Sequence, residues 1–402
     1  MYDILKMYWE WIIEREVLMN YIKKLMGVAL PCICMASATT VTFDEDYTAH
    51  NSYFKFDITE SKDGYNINWI SLENRKYNNE EANLIIPGKV KGKEVSLGHN
   101  AFAWLKADGL DVNLLVEDGV KMPRDSAGLF YFAKSLKQID FGKVDMQNVR
   151  YMGGMFYGCS GLSTLDLSNF RTDNVIDMQS MFEKCSNLKA VNLANWDTRY
   201  VENMREMYRD CKQLESLNLN HFDTRNVKDM RKMFQGCENM TNLRIDNFDI
   251  RQLHSLHGMF MGCEKLLKLN LKSFDTRYID DMSDTFFDCK SLGELDLSNF
   301  NTKNVSSTSF MFAGCKNLKK IDLSSFDTTN VEFMGGMFIS CENIKLLDLR
   351  HFNPAHLICS SWMFKNCYNL KNKNLGNLNL KNVPYKQEMF ENCKAMQETP
   401  AC

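Results

Sequence analysis

The sequence has few prolines and almost no excess charge, and each shortage excludes a class of protein. Only 6 of its 402 residues are proline, and no Pro-, Ser- or Gly-rich linker divides the chain. The 48 Lys and Arg residues nearly balance the 51 Asp and Glu residues, which leaves a net charge of −3. Nucleic-acid-binding proteins usually carry a basic surface, so nucleic acid is not expected as a partner. The 45% hydrophobic content is ordinary for a globular protein with a large core.

Motifs of catalysis and cofactor binding are also missing. The chain has no G-x-S-x-G, P-loop, dinucleotide-binding or H-E-x-x-H motif. His254 and His257 share a turn and His221 lies in the preceding strand region, but no further ligand stands at a recognisable metal spacing. No candidate nucleophile is paired with a base. The sequence therefore predicts no enzyme, no cofactor and no metal site; catalysis confined to residues 39–128 is the weaker alternative.

The N-terminus has the pattern of an export signal. Lys23 and Lys24 precede the apolar run Leu25–Met35 and a small-residue site that ends at Ala38. This order predicts a secretory signal peptide cleaved after Ala38. The run is too short to span a membrane, and a buried helix is the alternative interpretation. The residues before Met19 fit a signal badly, so we expect translation to start there and the mature chain to be secreted or at the cell surface.

A repeat of 26 residues organises most of the chain. Its unit is Cys-x-x-Leu-x-x-Leu-Asp-Leu-Ser-x-Phe-Asp-Thr-x-Asn-Val-x-x-Met-x-x-Met-Phe-x-x-Cys, and its cysteines stand at nine equal intervals over 234 residues. An earlier copy has Ala133 in place of the cysteine. The ten repeated cysteines are Cys159, Cys185, Cys211, Cys237, Cys263, Cys289, Cys315, Cys341, Cys367 and Cys393.

The unit predicts one coil of a solenoid. Leu165-Asp166-Leu167 alternates apolar and polar residues, as in a short strand with one buried face. Val175, Met178 and Met181 recur at three-residue steps, which favours a short helix or 3-10 turn capped by the Asp-Thr pair before it. One coil cannot bury its apolar face alone, so the coils must stack. We therefore predict an α/β solenoid of about ten coils.

This unit resembles the Met-rich, 26-residue repeat of the BspA-like bacterial leucine-rich-repeat surface proteins. The resemblance covers about residues 129–402, and Leu84-Ile85-Ile86-Pro87 and Asn100-Ala101-Phe102 are similar to that family's entry coil. It implies a right-handed superhelix over 129–402 with a strand-rich cap over 39–128, after a signal region over 1–38. It also implies attachment to host matrix proteins, other cells or glycans, but the family has no fixed site motif.

The strand-face column, which lies between the paired leucines, is the first candidate binding surface. It is predicted to face solvent, and the sheet face of a curved solenoid usually binds partners. Its polar centre and acidic ends favour a partner with basic or neutral patches. The alternatives are a solvated face with bonded asparagines, or a calcium site at the last three aspartates. The column is Asp140, Asp166, Asn192, Asn218, Arg244, Asn270, Asp296, Asp322, Asp348 and Asn374.

A second candidate surface, the arginine ridge, consists of Arg199, Arg225, Arg251, Arg277 and Lys303. An acidic column lies two residues earlier, at Asp197, Asp223, Asp249 and Asp275. Either the two columns form ion pairs between coils, or the ridge binds sulfated or carboxylated glycans through bidentate contacts. We expect no other face to persist across many coils.

The cysteine, methionine and phenylalanine columns are predicted to be core. Side chains stacked in a ladder point in the same direction, which suits neither disulfides nor a tetrahedral zinc site, so we expect free, buried thiols. The sequence as a whole predicts a non-catalytic adhesin that binds a protein or glycan on host or neighbouring cells through its strand face. A structural envelope or stalk component is the alternative.

Overall fold

The computed structural model describes residues 54–72, 80–106, 110–371, 378 and 380–397. The predicted signal peptide, with Met19 and Ala38, lies outside these residues, and so does Asn374 of the predicted strand-face column. Helix in the described part is limited to a 3-10 turn, Ala103–Lys106, and one short helix, α1, Lys394–Gln397. No helix in these ranges is long and apolar enough to cross a membrane.

Strands dominate the region before the repeats. They are β1 Phe54–Glu60, β2 Gly64–Leu72, β3 Glu80–Ile86, β4 Lys89–Val90, β5 Lys93–Leu97, β6 Leu110–Val116 and β7 Leu136–Phe141. One sheet has the order β1-β2-β5-β4, and a second, parallel sheet has the order β3-β6-β7. In the second sheet Leu84 pairs with Leu114 and Leu114 pairs with Ile139, so parallel stacking begins before the first complete repeat.

The repeats form a β-solenoid. Its short strands are β8 Thr164–Asp166, β9 Ala190–Asn192, β10 Ser216–Asn218 and β11 Asn242–Arg244. β8 pairs with β9 and β10 with β11, each parallel and shifted by one repeat, as with Leu165 and Val191. The strand predicted at Leu165-Asp166-Leu167 is thus confirmed in these coils. The coil number of ten and the right-handed winding stay predictions.

Of the two alternatives predicted for each coil, a short helix or a 3-10 turn, the helix is wrong. The N–H groups of Met178, Ser180 and Phe182 donate to carbonyls of the next coil at 2.8–2.9 Å, whereas Met181 bonds back to Met178. Ser180 has a φ of 54° and lies in the left-handed region. An α-helix requires every N–H to bond within its own segment and excludes left-handed residues. The chain is therefore a series of turns that bond alternately within and between coils, so the predicted α/β class becomes a β-solenoid.

Two ladders of side chains fill the core. Aromatic rings stack from Phe130 to Phe390 at centroid separations of 5.2–5.9 Å, with Tyr208 replacing phenylalanine once. All ten repeated cysteines are buried, as predicted, and they are free. Each thiol also donates a hydrogen bond to a carbonyl of the preceding coil, as Cys185 does to Phe156 at 3.0 Å. The cysteine column therefore bonds the coils together as well as packing between them.

Candidate binding faces of the solenoid

The strand-face column faces solvent as predicted. Asp166 is exposed between the buried side chains of Leu165 and Leu167. Parallel pairing places Asp166 beside Asn192, and Asn218 beside Arg244, in adjacent coils. Asp166 and Asn218 are exposed in these pairs, whereas Asn192 and Arg244 are only half-buried, so the exposed row is interrupted where these strands pair.

Most side chains of this column also hold their own turn. Oδ1 of Asp166 accepts the N–H of Ser168 at 2.9 Å, and the same contact to the residue two positions later recurs in other coils. The hydroxyl of Ser298 and then its N–H hold the pKa of Asp296 below its usual range, and the N–H of Ser324 and then its side chain do the same for Asp322. One oxygen of each such side chain is therefore used within the coil. The column members that make this contact are Asp166, Asn192, Asn218, Asn270, Asp296, Asp322 and Asp348.

The centre of the strand face has a hydrogen-bond network between coils. Asp246 accepts bonds from the amides of Asn220 at 2.7 Å and Asn270 at 2.8 Å, and the guanidinium of Arg244 lies 3.5 Å away. These donors, Asn220 first, lower the pKa of Asp246. Sequence reasoning missed Asp246 and Asn220. The available signal was that Asp246 stands where Ser168 and the repeat consensus have serine.

The acidic ends predicted for this face differ from each other. At the C-terminal end Arg350 forms a bidentate pair with Asp348 at 2.5 Å and 2.9 Å, which lowers the pKa of Asp348 to about 2. At the N-terminal end partial burial, with Asp166 and Asp118 nearby, raises the pKa of Asp140. Only the C-terminal aspartate is therefore compensated by a cation of its own coil.

The arginine ridge pairs within coils, not between them. Arg225 contacts Asp223 of the same coil through Nη2 at 2.6 Å and Nε at 3.0 Å, although its side chain is 69% exposed. Hydrogen bonding from Arg225 holds the pKa of Asp223 below its usual range. The expected pairing between coils is wrong because a partner two residues away is already within reach of the guanidinium. The same pairing joins Arg199 to Asp197, Arg251 to Asp249 and Arg277 to Asp275. At Lys303 the residue two positions earlier is Asn301, which carries no charge.

The threonine of the Asp-Thr pair joins coils, although we predicted a cap within the coil. The buried hydroxyl of Thr224 donates to the carbonyl of Asp249 at 3.0 Å and accepts the N–H of Asp249 at 2.7 Å. The aspartate of this pair does cap, since Oδ1 of Asp223 accepts the N–H of Arg225 at 3.2 Å. The local cap is therefore made by the first residue of the pair alone.

A third face persists across many coils, contrary to our expectation of two. Parallel bridges run from Asp125 to Asp229 and from Ser255 to Tyr385, one residue per coil. We name these bridged residues the turn ladder, and its exposed aromatic rings are those of Tyr151, Phe333 and Tyr385. Its residue types vary from coil to coil, so no column of like residues revealed it in the sequence.

His221 and His257 contact different partners. His221 is exposed, its Nε2 lies 2.9 Å from the carbonyl of Leu193, and partial desolvation of its ring lowers its pKa. His257 faces Asp284 at 3.6 Å. In the part of the chain that the structure describes, no three His, Cys, Asp or Glu side chains are grouped so that they could hold a metal, at Asp296, Asp322 and Asp348 or elsewhere.

Comparison with known proteins relates the repeats to one family. The family described as "Mycoplasma protein of unknown function, DUF285" matches residues 124–243, 211–320 and 292–401. No curated protein matches the chain. Among solved structures, a leucine-rich repeat protein from T. pallidum is 19% identical, with 55% of this chain and 90% of that chain covered and a TM-score of 0.35. A leucine-rich repeat protein from Bacteroides ovatus ATCC 8483 is 17% identical, with 80% and 87% covered and a TM-score of 0.41.

Proposed function

This chain belongs to the family described as "Mycoplasma protein of unknown function, DUF285", and we propose that it is a non-catalytic protein that binds another protein through the strand face of its solenoid. The repeat is a binding scaffold whose exposed columns recur from coil to coil. A specific protein interface buries about 800 Å² on each partner, so a partner must contact several coils. Only a face that continues across coils offers that area.

One observation supports the strand face over the arginine ridge. On the ridge, the guanidinium groups of Arg225, Arg251 and Arg277 are each paired with an aspartate of the same coil. On the strand face, Asp246 and Asn270 join side chains of neighbouring coils into an ordered polar centre. A fixed polar centre loses little side-chain entropy when a partner binds, which favours affinity.

We also propose that the protein acts outside the cell as an adhesin of the BspA-like kind, for host matrix proteins, cells or glycans. The support is the signal-like N-terminus and the resemblance of the repeat. N-terminal sequencing of the protein from its native source is expected to begin at residue 39, after Ala38. A mature protein that keeps residues 1–18 would contradict export by this signal.

Two triple variants test the choice of face. Replacement of Asn218, Arg244 and Asn270 by tryptophan is expected to abolish binding to a protein found in a panel of purified matrix proteins. The matched ridge variant exchanges three arginines for glutamate, and it is expected to change binding little. Circular dichroism checks that both variants fold. The ridge substitutions are Arg225→Glu, Arg251→Glu and Arg277→Glu.

Other outcomes would redirect the proposal. If the ridge variant alone loses binding, and salt weakens the wild type steeply, a glycan array is expected to show an anionic glycan on the ridge. If the protein forms homopolymers and binds nothing on the panel or the array, the structural envelope or stalk role replaces the adhesin.

A further inference from the structure

A row of lysines lies beside the C-terminal half of the strand face. Lys319, Lys345 and Lys371 stand at the same position of three successive repeats, and all three are exposed. The N–H of Lys371 donates to the carbonyl of Lys345 at 2.9 Å, which aligns these two coils. We name these three residues the lysine row. In these coils the stacked rings of Phe312, Phe338 and Phe364 lie 5.4–5.8 Å apart, so the row presents positive charge at short, regular intervals.

Among the described residues, the lysine row has no acidic partner, unlike the nearby Lys290 and Lys316. Lys290 pairs with Glu264 at 2.5 Å and Lys316 pairs with Glu342 at 2.8 Å, one coil after another. Across the described ranges, no Asp or Glu side chain lies within ion-pair distance of an ammonium group of the lysine row. The row therefore keeps its charge available, whereas the arginine ridge does not.

Exposed neighbours of the row add charge and apolar surface. Lys320 follows Lys319 and is also exposed. Leu346 follows Lys345, and its side chain is 66% exposed, the largest such fraction among the large hydrophobic residues described. An aliphatic side chain between cations offers contact area that is desolvated only when a partner covers it. The patch thus combines free positive charge with an apolar contact.

We propose that the lysine row binds an acidic polypeptide segment that lies across three coils of the strand face. The inference rests on the proposed function and names the chemistry of its partner. It reverses our expectation from the sequence, where the aspartates of the strand-face column favoured a basic or neutral partner. The reversal follows because Asp348 is paired with Arg350, while the lysine row remains unpaired.

The chemistry of the patch favours a polypeptide over a sulfated polysaccharide. A lysine ammonium is a point charge that accepts carboxylates in many orientations, whereas bidentate recognition of sulfate favours the planar fork of arginine. The arginine nearest in sequence to this patch, Arg350, already uses its fork on Asp348. Leu346 can meet aliphatic side chains that alternate with acidic ones in a peptide. Asp322, three residues after Lys319, repels an acidic chain and so keeps it on the lysine side.

Binding of labelled poly-L-glutamate to the full-length protein tests the proposal. The triple variant Lys319→Gln, Lys345→Gln and Lys371→Gln is expected to weaken binding by about tenfold, since each exposed ion pair contributes little alone. The matched control, Arg225→Gln, Arg251→Gln and Arg277→Gln, also removes three cations. Its affinity for poly-L-glutamate is expected to stay within about twofold of the wild-type affinity, because those charges are already paired. Fluorescence anisotropy at low and high salt measures both, and salt should weaken the wild type.

Two results would overturn the proposal. The first is equal affinity of wild type and lysine variant for poly-L-glutamate, which would show that the lysine row does not contribute, or equal losses in both variants, which would make the effect one of net charge alone. The second is binding of heparin that requires the lysine row while poly-L-glutamate does not bind, which assigns the row to a polysaccharide.

The failure of this inference differs from the failure of the proposed function. If the tryptophan variant of the strand face loses its matrix protein but the lysine variant binds poly-L-glutamate like the wild type, only this inference fails. If no panel protein depends on the strand face and poly-L-glutamate still requires the lysine row, only the proposed function fails.

Discussion

The ring of Phe310 lies over Gly336 of the next coil. A Cβ placed on Gly336 would stand 2.3 Å from Cε1 and 2.4 Å from Cδ1 of that ring. Gly336 also has a φ of 61°, in the left-handed region, and Phe310 has a φ of 55°. The two residues occupy equivalent positions, 26 residues apart, in the turns that replace the predicted helix. Glycine at 336 therefore serves both the turn and the contact between coils.

Gly336→Ala is expected to lower the free energy of unfolding by about 1–3 kcal/mol, because left-handed strain adds to the overlap with Phe310. Urea denaturation followed by circular dichroism measures the change. Gly119→Ala is the matched control, since Gly119 also lies in the left-handed region, with a φ of 85°, but no atom lies within 4 Å of a Cβ built there. Equal losses in the two variants would show that the contact with Phe310 has no particular effect.

Thr224→Val tests the hydroxyl that joins neighbouring coils. Valine has nearly the shape of threonine but leaves the buried N–H of Asp249 without its acceptor, so we expect a loss of about 1–3 kcal/mol in the free energy of unfolding. Thr224→Ser keeps the hydroxyl and should lose less. Denaturant titrations of both variants give the comparison. A serine variant less stable than the valine variant would mean that packing of the methyl group outweighs the hydrogen bond.

The repeat and its strand could be predicted from the sequence because their signals are repeated. Equal spacing from Cys159 onward defines the coil length, and apolar residues on both sides of Asp166 define a strand with one exposed face. Both features follow from one requirement, which is that each coil presents the same apolar face to the next. Burial of the cysteines follows from the same requirement.

The turns and the polar contacts could not be predicted in the same way. The spacing of Val175, Met178 and Met181 fits a helix and a series of turns equally, because both bury every third or fourth residue. The direction of the Thr224 hydroxyl depends on where the next coil lies, which no local pattern shows. Asp246 is a departure from the repeat, and its role appears only when Asn220 and Asn270 are placed beside it.

Asp249 and Arg251 are expected to contribute unequally to stability. The arginine side chain is 58% exposed, so its ion pair is screened and Arg251→Ala should change the free energy of unfolding little. Asp249→Ala should cost more, because Oδ1 also accepts the N–H of Arg251 and holds the turn. Thermal unfolding of the two variants and of Asp249→Asn, which retains an acceptor, measures the difference. Equal losses from the two alanine variants would make the ion pair, not the turn, the main contribution.

The buried thiols are expected to make stability fall at alkaline pH. Burial raises the pKa of Cys263 from 9.0 to about 12. Between these values the unfolded thiol loses its proton while the folded thiol keeps it, so the unfolded state binds fewer protons. The free energy of unfolding therefore decreases as pH rises through this window, and below it the contribution is constant.

Cys263→Ser isolates the contribution of one thiol to this pH dependence. A serine hydroxyl can still donate to the carbonyl of Phe234, which the thiol of Cys263 contacts at 3.2 Å, but it does not titrate in this range. The variant should therefore lose stability less steeply with pH than the wild type, by up to about 1.4 kcal/mol per pH unit. Urea denaturation at a series of pH values from neutral to about 11, within the window that the raised pKa defines, measures both slopes. Parallel slopes would show that Cys263 ionises alike in the folded and unfolded chains, and would contradict its burial as a protonated thiol.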